Sequence, residues 1–164
     1  MPNEGGKSQK PQTVRPSERG AAYRGFFLGL VDELRERHRF TGVRKVQPRH
    51  YCDFATGKSG THYSASFAKR NEVRTEVCFA TKDQQANKRL FDALAKDKTA
   101  IEREFDEPLR WERDASTWSR IAAYRPGSIE DAEMLGEIRA WAIDRLLRFK
   151  KVFGPRLQRL ALTL

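Results

Sequence analysis

The chain has 164 residues, 38% of them hydrophobic and 33% charged, and its 32 Lys and Arg against 22 Asp and Glu give a formal net charge of +10. That length suits one domain, and no apolar run approaches the roughly 18 residues of a membrane span. Two cysteines cannot build a disulfide framework and no secretory signal opens the chain, so the composition predicts a protein of the reducing cytoplasm with no membrane partner.

Residues 1–19 hold Pro, Gly, Ser and Gln between charges and lack any aromatic residue. Such a segment cannot bury enough apolar area to offset its ordering entropy, and a disordered tail is expected, followed by a single domain over 20–164. The tail has four basic and two acidic residues, so most of the positive excess belongs to the body. A first helix is expected from about Glu18, with Ser17 as its cap, to Arg37. Tyr23, Phe26, Phe27, Leu30, Val31 and Leu34 recur at three- and four-residue steps to form its apolar stripe, and Thr41-Gly42 should stop it.

Strands follow at 50–55, 62–68 and 73–80. Tyr63, Ala65 and Phe67 alternate with His62, Ser64 and Ser66, then Val73, Thr75, Val77 and Phe79 with Arg74, Glu76 and Cys78. This period of two marks a sheet with one buried face, and the short connections predict an antiparallel meander. Thr81 and Gln84 have capping-box spacing, and a second helix is expected from Thr81 to Phe105. Two more strands are predicted at 109–113 and 119–124. A last helix should start at Ser128 and be bent or ended by Pro155. The order α-βββ-α-ββ-α predicts an α+β fold, a mainly antiparallel sheet of about five strands with helices on one face.

Several constellations bear on chemistry. Residues 145–164 carry no acid, and Arg145, Arg148, Lys151, Arg156 and Arg159 are the candidates for phosphate contacts. A solvated helix end with cations favoured by the dipole accounts for the same residues. The polar sheet face would show His62, Ser64, Ser66, Arg74, Glu76 and Cys78, with Arg110, Glu112 and Arg120 beside them, as a cross-strand charge lattice or a platform for a ligand. A helix, three strands and a helix also begin the core order of restriction-type nucleases. Asp53 and Glu76 are then the candidate catalytic carboxylates for Mg²⁺, but Cys78 stands where such a site needs Lys. His38, His50, Cys52, His62 and Cys78 lack the paired spacing of a zinc site, so no metal and no cofactor is expected. Gly57-Lys58-Ser59 mimics the end of a P-loop, but a strand follows it, which makes it a turn.

Taken in order, certain segments resemble a bacterial and archaeal family of domains of unknown function. They are Gly57-Lys58-Ser59-Gly60, Asn87-Lys88-Arg89-Leu90-Phe91, Glu107-Pro108-Leu109-Arg110-Trp111, Tyr124-Arg125-Pro126-Gly127 and Phe149-Lys150-Lys151-Val152-Phe153-Gly154-Pro155. Members of that family often lie C-terminal to endonuclease-like domains of the restriction or mismatch-cleavage type. The resemblance implies company with nucleic-acid-processing systems and assigns no catalytic residue. The expectation is a non-enzymatic cytoplasmic module that binds nucleic acid or a nuclease-type protein partner. A degenerate metal-dependent nuclease and a protein-interaction module are the alternatives.

Overall fold

A computed structural model describes residues 16–161. The disorder expected of residues 1–15 and the fate of the last three residues lie outside the described residues. Helix α1 (Pro16–Glu36) begins before Glu18, so residues 16–19 are helical rather than tail. Proline suits a first helical position, where its missing N–H costs nothing. The helix stops ahead of Thr41-Gly42: Arg39 is left-handed (φ 51°) and the Phe40 amide donates to the Leu34 carbonyl at 2.9 Å.

Strands β1 (Tyr51–Ala55), β2 (Thr61–Ala68) and β3 (Glu72–Phe79) form the expected meander. Gly60 (φ +75°) turns the chain into β2, and a side chain there would collide with Thr81. The expected second helix is two helices, α2 (Gln84–Ala95) and α3 (Lys98–Phe105), broken at Lys96-Asp97. Asp83, not Thr81, caps α2: its carboxylate accepts from the Gln85 and Ala86 amides. Thr81 is instead held by Asn87.

The sheet is completed by β4 (Arg110–Glu112) and β5 (Ser119–Pro126), and all its pairings are antiparallel in the order β1-β2-β3-β5-β4. The helical excursion delivers β4 to the outer edge, and β5 returns between β3 and β4, so the last two strands do not extend the meander in sequence order. Helix α4 (Leu135–Ala161) starts seven residues after Ser128, whose hydroxyl accepts only the Glu130 amide in a turn. It also runs through Pro155. Pro155 and Lys151, whose carbonyl loses its helical donor, are both exposed residues.

The core is one layer between sheet and helices. Phe27, Leu30, Val31 and Leu34 of α1 and Ile138, Leu146, Phe149 and Phe153 of α4 are buried against Phe54, Tyr63, Val77 and Ile121 of the sheet. Leu90, Phe91 and Leu94 of α2 and Ile101 and Phe105 of α3 extend the same core. Among the described residues no helix is long and apolar enough to cross a membrane.

Candidate functional site

The sheet has two unlike faces because its strands alternate with period two. Cys52, Phe54, Tyr63, Val77 and Ile121 point into the helical layer, and the neighbours between them point the other way. On that second face Asp53, Ser64, Glu76, Ala122 and Arg110 form one cross-strand row. Ala55, His62, Cys78, Arg120 and Glu112 form the next. The face holds a concavity of about 370 Å³ whose lining includes Tyr51, Asp53, His62, Glu76, Trp118 and Arg120. Trp118, from the loop between β4 and β5, is 39% exposed at its rim.

Glu76 lies at the floor, only 6% exposed. Arg74 Nε stands 3.1 Å and Arg120 Nη1 3.4 Å from its Oε2. Burial pushes the Glu76 carboxyl above its ordinary range, and the Arg74 and Arg120 guanidiniums pull it back. Beside it His62 Nε2 is 3.7 Å from Asp53 Oδ1. Farther along the face Arg120 Nε is 3.3 Å from Glu112 Oε2, and the Tyr124 hydroxyl donates to that same oxygen at 2.9 Å. Arg110 makes two hydrogen bonds to Glu72, at 3.2 and 2.9 Å, and covers the Tyr124 ring at 4.0 Å. Opposite charges therefore alternate across neighbouring strands, as the expected lattice requires.

Asp53 and Glu76 do share one row and one concavity, with Ser64 between them. The cation on Glu76 comes from Arg74 and Arg120, on the same and the adjoining strand, rather than from a lysine two residues on. Both cysteines are buried: burial raises the Cys52 thiol to about 11 and the Cys78 thiol to about 12, which keeps them protonated at neutral pH. Neither is an activated nucleophile. The side chains of His62, Glu76 and Cys78 nevertheless bring one ligand-type atom each to within 4.8 Å of one another. Linear spacing hides this group, since His62 and Cys78 are sixteen positions apart but face each other across the β2–β3 hairpin.

The basic stretch of α4 lies elsewhere, along α3. Arg145 makes two hydrogen bonds to Glu107, at 2.9 and 3.0 Å, and one to Asp144. Arg148 donates to the Phe105 carbonyl at 3.1 Å and meets Asp144 at 2.9 Å. Arg156 makes two hydrogen bonds to Glu104, at 3.1 and 2.9 Å. These three candidate phosphate ligands are committed to α3, to the segment just after it and to α4 itself, and Lys151 is exposed. Asp144 is a local partner of Arg145 and Arg148, whereas Glu107 and Glu104 sit 38 and 52 residues before Arg145 and Arg156, where no local pattern announces the pairing.

A second basic stretch precedes β1. Residues 37–52 contain Arg37, Arg39, Arg44, Lys45 and Arg49 and no acid. This connection runs back beside β1: Phe40 packs on the Phe54 ring at 5.4 Å near one end, and the His50 carbonyl accepts the Phe67 amide near the other. Arg49 covers the Tyr51 ring at 4.1 Å, and Lys69 and Arg70 turn from β2 into β3 at the same end of the sheet. Among the described residues none of Arg44, Lys45, Arg49, Lys69 and Arg70 has a carboxylate partner. The absence of nearby acids was the available signal. The expected turn at Gly57-Lys58-Ser59 is a turn, with the Thr56 hydroxyl accepting the Lys58 amide and β2 following.

Comparison with known proteins gives one match. The profile of a domain of unknown function (DUF4268) matches residues 22–157. No curated protein matches the chain, and no solved structure does.

Proposed function

The chain belongs to the DUF4268 family, whose function is unknown, and from its own surface we propose that it is a non-enzymatic module that binds nucleic acid along the β1 edge of its sheet. The observation that carries this is the distribution of unpaired charge. Arg44, Lys45, Arg49, Lys69 and Arg70 are exposed and have no carboxylate partner among the described residues, whereas Arg145, Arg148 and Arg156 are neutralised within the fold. Phosphates need cations that are not already spent. Trp118, exposed at the rim of the adjoining concavity, supplies an aromatic face on which an unpaired base stacks.

The reading is tested by anisotropy titrations of a generic duplex and a single strand across a salt series. Binding should weaken steeply with salt. Neutralising Arg44, Lys45 and Arg49 together should lower the slope of log affinity against log salt by about 2 to 3. Neutralising Arg145 and Arg148 should leave that slope unchanged. No binding at low salt, or a slope that follows the α4 substitutions instead, overturns the proposal. A nuclease-type protein partner becomes the better reading if a partner stays bound after nucleic acid is digested.

A further inference from the structure

The geometry points to a site for one borderline divalent cation, zinc by its donor set, formed by His62, Glu76 and Cys78 on the floor of the open sheet face. The nucleic-acid reading plays no part in this inference.

Three features support it. First, imidazole, carboxylate and thiol converge: their ligand-type atoms lie within 4.8 Å of one another. Ligand atoms around a tetrahedral zinc are roughly 3.3 to 3.8 Å apart, since the bonds themselves are about 2.0 to 2.3 Å long. Closing that gap needs about 1 to 1.5 Å of adjustment. Second, the scaffold is rigid. His62 and Cys78 are directly paired across β2 and β3, and Glu76 is the same-face neighbour of Cys78 on β3. Strand positions in the middle of a sheet hold ligands more accurately than loops do. Third, the surroundings suit a ligated carboxylate. Arg74 and Arg120 both contact Oε2 of Glu76, which leaves Oε1 as the oxygen offered to the ion. Outer partners of this kind orient a ligand without occupying the metal.

Charge is balanced as well. The ion with Arg74 and Arg120 brings four positive charges, matched by Glu76, the Cys78 thiolate, Asp53 and Glu112, the thiol proton leaving to solvent on binding. Arg120 keeps its contact with Glu112. Asp53, whose Oδ1 is 3.7 Å from His62 Nε2, stands beside the imidazole at the edge of the concavity, outside the three-residue group. The mixed nitrogen, oxygen and sulfur set disfavours Mg²⁺ and Ca²⁺, which take oxygen ligands.

The test uses the reduced, metal-free full-length protein titrated with Zn²⁺ and, for its spectrum, Co²⁺. One equivalent should bind, and the Co²⁺ form should show a thiolate-to-metal charge-transfer band in the near ultraviolet. Cys78→Ser should abolish that band and Cys52→Ser should keep it. His62→Gln, at a half-buried position and independent of the cysteine chemistry, should weaken Zn²⁺ binding by about tenfold or more. Absence of the band, its survival in Cys78→Ser, or unchanged Zn²⁺ affinity in His62→Gln overturns the inference. Should Cys78→Ser fail to fold, the His62→Gln titration alone decides it.

Discussion

Asn87 shows how much one polar side chain can organise. It is 1% exposed on the first turn of α2. Its Oδ1 accepts from the Thr81 amide at 2.9 Å and from the Thr81 hydroxyl at 2.6 Å. Its Nδ2 donates to the Thr81 carbonyl at 3.1 Å and to the Thr117 carbonyl at 3.3 Å. One amide therefore ties the exit of β3 to the loop that carries Trp118. Removing it breaks four part-buried hydrogen bonds, at a cost of about 1 to 3 kcal/mol. Asn87→Ala should lower the unfolding free energy by about 2 kcal/mol in urea titrations. Nothing in the sequence marks this residue: an Asn in an amphipathic helix looks like surface, and only the tertiary positions of Thr81 and Thr117 make it core.

At the scale of elements, ion pairs decide what the last helix does. Helices α3 and α4 bury Phe105 against Phe149, with ring centroids 4.7 Å apart, and Arg145, Arg148 and Arg156 flank that contact. The row of cations fastens one helix to another. Arg145→Ala should lower stability by about 1 kcal/mol, because the pair with Glu107 is half-buried and doubly hydrogen-bonded. Thermal melts should show the loss, and nucleic-acid affinity measured in parallel should stay within about twofold. Element boundaries were legible where one local rule acted alone, as in the stripe of α1 and the alternation of β2 and β3. They were misplaced where two rules competed. Thr81 has capping-box spacing, yet Asp83 is the stronger acceptor two residues on, and Thr81 is taken by Asn87. The break between α2 and α3 has no Pro or Gly to announce it.

For the molecule as a whole, the buried lattice makes stability depend on pH in a predictable direction. Burial raises the Glu76 carboxyl above the ordinary value of 4.5, so between those two values the native state holds more protons than the unfolded chain. Stability from this group is therefore full below 4.5 and is lost as pH rises through the native value. The exposed Asp92, Glu104 and Asp114 act in the opposite sense: hydrogen bonds from Arg113, Arg156 and Lys88 lower their values, and the stability they add is lost as pH falls. Comparison with Glu76→Gln isolates the buried group. The stability of the native protein relative to Glu76→Gln should increase as pH falls toward 4.5, read from urea unfolding at a series of pH values. A difference that is constant with pH would show that Glu76 titrates as it does in the unfolded chain.

The sequence alone was enough for the α+β class, the identity of the buried strand face and the polar company of His62, Glu76 and Cys78, because each follows from periods of two and of about 3.6 that any window displays. It also carried the family resemblance. Tertiary structure alone decided that β5 enters between β3 and β4, that Glu104 and Glu107 pair with Arg156 and Arg145, and that the connection over 37–50 keeps Arg44, Lys45 and Arg49 unpaired among the described residues. The physical reason is range. Propensity and periodicity act over a few residues, whereas whether a charge is spent or available depends on partners that the fold brings in from far along the chain.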